Sequence, residues 1–224
     1  MSVSNDKVDL FAQYCVDKLN LESIRYDDEY QSLSVCILDC IYSLRAHYYS
    51  CAVPLLNRYA ARFLHGDRFA PNETLTDFIG NIEIAGGCVD FANNLLKNRQ
   101  VLNGVLKSEV CYNLAQKLIS ININTLQDFQ TFQDIDLLEN TILSVRGVGY
   151  AALNYLFMLA GDPNRCKPDV HIHRCVKEAL TCDINDRDCQ DLFSQVIVVL
   201  NKKYPQLTIR KLDYTIWNIF QARK

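Results

Sequence analysis

Residues 32–44 read SLSVCILDCIYSL, thirteen positions with a single charge, Asp39. A helix on the surface of a globular protein keeps one polar face; this one would have none, so it must lie central and buried among other elements. Such a helix demands a shell of further helices, and the rest of the chain supplies them. Val8, Phe11, Cys15 and Leu19 recur at helical spacing on one face of a first helix. A third helix carries Leu55, Leu56, Tyr59 and Phe63 and stops at His65-Gly66. Thr74 has the chemistry of a helix cap before TLTDFIG, as do Thr125 and Asp134 for two short helices leading to Leu143. The Gly86-Gly87 pair breaks the chain, and residues 106–121 are amphipathic again.

With 8 Gly and 5 Pro in 224 residues, the many tight turns of an all-β design are missing, and no convincing strand is found. The expected fold is all-α with about ten helices, long enough for one large domain or two intimate lobes. No run of about 18 apolar residues is present, so no membrane segment is expected. The opening MSVSNDKVDL lacks the basic-then-apolar layout of a secretion signal. Ten cysteines without such a signal fit a reducing compartment and free thiols that serve as small buried apolar groups. An intracellular protein is expected, in the cytoplasm or with the chromosome (the nucleus in a eukaryote).

The sharpest local pattern is SVRGVGYAALNYLFMLAG. A helix ends near Ser144, Gly147 and Gly149 form a tight hairpin, and a second helix runs from about Tyr150 to Ala160. Glycines let the backbone approach a ligand closely, and the unpaired amides that open the second helix favour an anion such as a phosphate. Alone, a Gly-x-Gly between helices is weak evidence, because helix ends and ordinary connectors use the same residues. The loop GDPNRCKP follows, stiffened by Pro168. Asp169 then opens another helix, VHIHRCVKEAL, 20 residues after Gly149. Two more helices cover about 187–202 and 208–221.

This pairing of hairpin and aspartate resembles the helix-hairpin-helix-Gly-Pro-Asp superfamily of base-excision DNA glycosylases, which includes the endonuclease III and adenine glycosylase groups. The family signature runs roughly L-P-G-V-G, a helix, a Gly/Pro-rich loop, then V-D-x-H-[IV]-x-R. The matching residues are Val145-Arg146-Gly147-Val148-Gly149, Gly161-Asp162-Pro163 and Pro168-Asp169-Val170-His171-Ile172-His173-Arg174. Weaker similarity extends from about residue 30 onward, through LSVCILDCIYSLRAHYYS and LDYTIW. The resemblance implies two helical lobes with the active site in the cleft between them, one of about residues 30–149 including the hairpin and the other of 1–29 plus 150–224. It implies that Arg146, Gly147, Val148, Gly149, Tyr150, His171 and Arg174 serve DNA binding and that Asp169 is the catalytic carboxylate.

Cleaving an N-glycosidic bond builds positive charge on the sugar, which a fixed carboxylate stabilises while it orients or deprotonates water. Asp169 is equally suited to cap its own helix, and the two roles are compatible. The chain departs from the family at two hairpin positions. Arg146 stands where the family has proline. Ala151 stands where bifunctional members carry the lysine whose amine attacks the sugar. A monofunctional, water-using glycosylase is therefore implied, with Lys167 as the one nearby amine able to substitute.

A base inside a duplex must be flipped out before such chemistry, leaving a gap to be filled. Arg45, at the end of the second helix, matches the family's plug position, with Tyr48 as second choice. Tyr42, Tyr48 and Trp217 are candidates to stack on the flipped base; packing in the core or at its rim is the alternative for each. His171 either supports the site by hydrogen bonding or packs plainly. Between residues 146 and 177, Arg146, Arg165, Lys167, Arg174 and Lys177 face only Asp162 and Asp169 in a chain of net charge −3, and Lys97, Arg99 and Lys107 form a second basic group. The cysteines do not match the family's four-iron cluster spacing, so no cluster is expected, and Cys166, His171, His173 and Cys175 lack a standard zinc spacing. A monovalent cation on the hairpin carbonyls is possible by family analogy. The expected partner is double-stranded DNA with a flipped-out base, bound by a monomer. Two further classes stay open: a non-catalytic DNA-binding protein that keeps the hairpin, and a helical protein–protein module.

Overall fold

The computed structural model describes residues 3–22, 29–70 and 73–223. Residues 1–2, 23–28 and 224 of the expected terminal lobe lie outside the described residues, as do 71–72 of the other. Among the described residues there are twelve α-helices: α1 Asn5–Lys18, α2 Leu33–Ser43, α3 Val53–Phe63, α4 Leu75–Ile84, α5 Gly87–Asp90, α6 Lys107–Ser120, α7 Leu126–Thr131, α8 Ile135–Leu143, α9 Tyr150–Leu159, α10 Val170–Leu180, α11 Asp186–Leu200 and α12 Ile209–Gln221. Two five-residue π-helical segments, Tyr48–Ala52 and Phe91–Leu95, lead into α3 and out of α5.

The all-α expectation holds with one correction. Strands β1 Val101–Leu102 and β2 Val105–Leu106 form an antiparallel hairpin, Val101 opposite Leu106 and Leu102 opposite Val105. Its turn is Asn103-Gly104, with φ of 49° and 80°. Both central residues of a type I′ turn need positive φ, which asparagine and glycine tolerate best.

By its contacts the chain divides into two compact units, Asp28–Gly161 and Met1–Asp27 with Asp162–Lys224. Helix α9, assigned from sequence to the terminal lobe, lies in the first of these. Its sequence YAALNYLFML is apolar almost all round, and Ala152, Leu153, Leu156 and Phe157 join the core beside α2 and α8.

In the Asp28–Gly161 unit, every residue of α2 is buried, as its composition demanded. Small side chains let α9 come close: the Cys40 thiol donates to the Ala152 carbonyl (3.2 Å) and the Cys36 thiol to that of Leu159 (3.4 Å). Each large apolar side chain buried here contributes about 1.5–3 kcal/mol relative to exposure. Asp39, the one charge of α2, is also buried. The hydroxyls of Tyr30, Tyr48 and Tyr155 donate to its carboxylate at 2.7, 3.0 and 3.3 Å, offsetting the cost of desolvating it. Thr74 with Asp77 and Thr125 with Asp128 form reciprocal capping boxes on α4 and α7, and Asp134 caps α8. α3 ends where His65 and Gly66 turn left-handed and the Gly66 amide reaches back to the Ala60 carbonyl (2.9 Å).

The other unit joins α1 to α10, α11 and α12. Val8, Phe11 and Cys15 of α1 bury one face, with the Phe11 ring 5.5 Å from that of Phe193 on α11. α10 and α12 pack through Ile172, Val176, Leu212 and Ile216 in the same core. None of the ten cysteines forms a disulfide, and seven of them are buried, so most act as small core residues.

Candidate functional site

The turn between α8 and α9 needs glycine at one position for its backbone and leaves the other open. Gly147 has φ of +100°, and a Cβ there would sit 3.2 Å from Leu102 Cβ and 3.3 Å from Val110 Cγ2. Glycine is therefore required both by conformation and by the β1 strand lying against it. Gly149 is exposed, caps α9 in ordinary extended conformation, and a Cβ on it would meet nothing within 4 Å. No side chain caps α9, and at its head the first-turn amides have no carbonyl one turn back within the helix and the helix dipole is positive. Val148 turns its side chain into the core, leaving only its backbone for any contact, and Tyr150 is half-buried. Arg146 is exposed, and its guanidinium donates to the Asn103 carbonyl of the β-turn (2.9 Å). The β-hairpin thus braces the glycine turn from the side.

A second exposed turn in the same unit contains Arg45. It follows α2 directly and holds Arg45 at φ of 53°, a left-handed conformation uncommon outside glycine. Beneath it lies Lys107, which sequence reasoning grouped with the surface cations. Lys107 is buried, and its ammonium donates to the Tyr42 carbonyl (3.2 Å), the Leu44 carbonyl (2.7 Å) and Gln100 Oε1 (2.7 Å). A cation on the last carbonyls of α2 complements both their lone pairs and the helix dipole. Lys107 therefore holds the Arg45 turn to the base of the β-hairpin and offers no charge to solvent. Lys97 and Arg99 are exposed.

The aromatic candidates separate by burial. Tyr42 is fully buried against Lys107 and the core, which removes it from any stacking role at the surface. Tyr48 is half-buried with its hydroxyl bound to Asp39. Its neighbour Tyr49 is 63% exposed and packs edge-on against it, 5.4 Å between centroids. Sequence reasoning did not single out Tyr49, and nothing in the run HYYS distinguishes the half-buried ring from the exposed one. Trp217 is half-buried on α12, in the other unit.

That unit carries Asp169. Its carboxylate Oδ1 accepts from the amides of His171 (2.8 Å) and Ile172 (3.2 Å), so Asp169 is the N-cap of α10, half-buried. The preceding loop is sewn down from below. The amide of Cys166 donates to Gln190 Oε1 on α11 (2.9 Å), and Gln190 in turn donates to the Asn164 carbonyl (2.9 Å). The amide of Arg210, in the first turn of α12, donates to the Pro163 carbonyl (3.0 Å). Lys167 N–H donates to Asp213 Oδ2 of α12 (2.8 Å). Asp213 is a buried carboxyl that the sequence did not reveal. Burial, then the charge of Asp169, push it well above the usual carboxylate range, against the pull of the Lys167 amide, Lys167 and Arg210.

His171 is half-buried, and its Nδ1 is buried with no hydrogen-bond partner among the described residues. His173 pairs with Asp186 (2.9 Å) and Lys177 with Asp183 (3.0 Å). Arg165 lies 3.5 Å from Asp162, and Arg174 is exposed. Of the cations expected along residues 146–177, then, Arg165 and Lys177 have acidic partners that dilute them as a basic patch. Among the described residues no three His, Cys, Asp or Glu side chains gather as a metal site, and no helix is long and apolar enough to cross a membrane.

A family model described as "Domain of unknown function (DUF8548)" matches residues 9–221. No curated protein matches the chain. Among solved structures, the chain is similar to the crystal structure of Methanocaldococcus jannaschii 8-oxoguanine glycosylase/lyase in complex with a 15mer DNA containing 8-oxoguanine. The TM-score is 0.51 at 13% identity, over 98% of this chain and 89% of that one. At that identity the likeness establishes a shared all-α fold.

Proposed function

The chain belongs to the DUF8548 family of domains of unknown function, and from its own residues we propose that it is a monofunctional DNA N-glycosylase. The observation that carries the reading is Asp169: a carboxylate fixed by two amides at the head of α10, on a loop tied to α11 and α12. The shared fold with a protein crystallised on lesion-containing DNA supports it.

In this reading the backbone at Gly149 and the positive end of the α9 dipole hold a phosphate, and Arg146 adds a cation beside it. Arg45, presented in its left-handed turn, enters the stack as the base leaves. As the bond from the base to C1′ lengthens, positive charge develops on the sugar. The Asp169 carboxylate stabilises that charge and takes a proton from the water that attacks C1′, while the base departs with the bonding electrons. The ordered cap geometry means that the carboxylate needs little reorganisation as the charge develops. Ala151 has no amine, so no Schiff base forms from that position.

The test is incubation with duplexes that each carry one damaged or modified base, 8-oxoguanine among them, followed by hot alkali. At least one lesion should give strand breaks after alkali and none before it. Borohydride should trap no covalent adduct; a trapped adduct lost in Lys167→Ala would instead assign Lys167 as the amine. Salt-sensitive DNA binding without base release from any duplex would make the protein a non-catalytic DNA binder.

A further inference from the structure

The buried carboxyl of Asp213 takes no direct part in the proposed chemistry. It is 6% exposed on an otherwise apolar face of α12, flanked by Leu212 and Ile216 of the core. A buried carboxyl is costly unless it is hydrogen-bonded, and an apolar residue would fill the same space more cheaply. What Asp213 has is a specific partner, the Lys167 amide at 2.8 Å. The carbonyl of that same residue accepts from the Asp169 amide at 2.7 Å. Lys167 is therefore gripped at its N–H by Asp213 and at its C=O by Asp169, with rigid Pro168 between.

We propose that Asp213 is the positioning residue of the Asp169 site: by holding the Lys167 amide it sets the turn through Pro168 and so fixes where the Asp169 carboxylate points. This rests on the reading of Asp169 as the catalytic carboxylate. The groups that face Asp213 support the assignment. Asp169 comes from the head of α10, Lys167 and Cys166 from the loop, and Arg210 from α12 itself. The negative charge of Asp169 and burial both favour the protonated, neutral form of Asp213, which still accepts from the amide.

The test compares Asp213→Ala, which removes the acceptor, with Asp213→Asn, which keeps one. Isotope-labelled protein gives the Lys167 amide signal, and single-turnover base release and duplex affinity are read on the same samples. Asp213→Ala should shift the Lys167 amide and slow base release about 100-fold, the scale expected when a reacting group is displaced by about 1 Å. Duplex affinity should stay within about twofold. Asp213→Asn should restore both the amide signal and most of the rate. A folded Asp213→Ala with an unmoved amide or wild-type base release would overturn the proposal. If Asp213→Ala does not fold, hydrogen exchange at the wild-type Lys167 amide decides. Exchange only through global unfolding supports the bond, and exchange at the rate of an open loop refutes it. Should the wild type release no base from any duplex, the catalytic reading falls, while the amide measurements still show whether Asp213 holds the loop.

Discussion

Replacing Asp169 by asparagine separates the two things its carboxylate does. As an N-cap it accepts from His171 and Ile172 through one oxygen, Oδ1, and an asparagine carbonyl can accept the same two bonds. What is lost in folding is the interaction of a half-buried negative charge with the head of α10, about 0.5 kcal/mol. For a chain of this size that is about 1–2 °C in Tm. What is lost in catalysis is a preorganised charge beside C1′, about 3 kcal/mol in the barrier, or about a hundredfold in rate. Asp169→Ala, by contrast, removes the cap as well and should cost about 1 kcal/mol of stability with a similar rate loss. The assay is thermal unfolding alongside single-turnover base release on whichever lesion proves active, with duplex affinity as control. An Asp169→Asn protein that melts like the wild type and releases base at the wild-type rate would refute the catalytic assignment and leave Asp169 as a cap alone.

Three further outcomes follow from the geometry. Gly149→Glu, where a side chain meets nothing within 4 Å, should leave Tm nearly unchanged yet weaken duplex binding at modest salt by at least about tenfold, a 1.4 kcal/mol change, by bringing a carboxylate to the phosphate; unchanged affinity would remove the hairpin from the interface. Lys107→Met should lower stability by about 1.5–3 kcal/mol, because the Tyr42 and Leu44 carbonyls and Gln100 lose a charged donor in a buried setting, and urea unfolding at constant m-value would show it. Burial pushes the Glu73 carboxyl above its ordinary range despite hydrogen bonds from Ser34, Tyr59 and Asn81. The native state then holds its proton where the unfolded state has lost it, so stability should fall as pH rises from the ordinary glutamate range through the raised native value. Glu73→Gln should flatten that slope, and an equal slope in both proteins would show that burial does not raise the carboxyl above its unfolded range.

What the sequence made legible was what periodicity and capping chemistry encode. The apolar run at 32–44 announced a buried central helix, and Thr74, Thr125 and Asp134 cap the helices they were expected to cap. The Gly147–Gly149 turn and the start of α10 at Asp169 were legible for the same reason. The β-hairpin escaped because its strands are two residues each, too short for alternation to register, although Asn103-Gly104 between Val-Leu pairs is itself a hairpin signal. Lys107 and Asp213 escaped for a deeper reason. Each stands in an amphipathic helix where a charged residue normally marks the solvent face, and only their three-dimensional partners, two carbonyls and a glutamine for one and a loop amide for the other, bring them inside. Tyr42 is the converse case: a position proposed by analogy for base stacking, in a helix whose composition already required it to be buried.

The way the two units are threaded bears on how the protein is made. The Asp28–Gly161 unit is one continuous stretch of chain, complete as soon as α9 has left the ribosome. The other is split, and α1 packs chiefly against α10 and α11, roughly 150 residues later. At a synthesis rate of about 5–20 residues per second, α1 spends on the order of 10 s with Val8, Phe11 and Cys15 uncovered while its neighbour folds. In a nascent chain of this design α1 is a waiting amphipathic segment, exposed to capture by chaperones or to aggregation until α12 closes the unit.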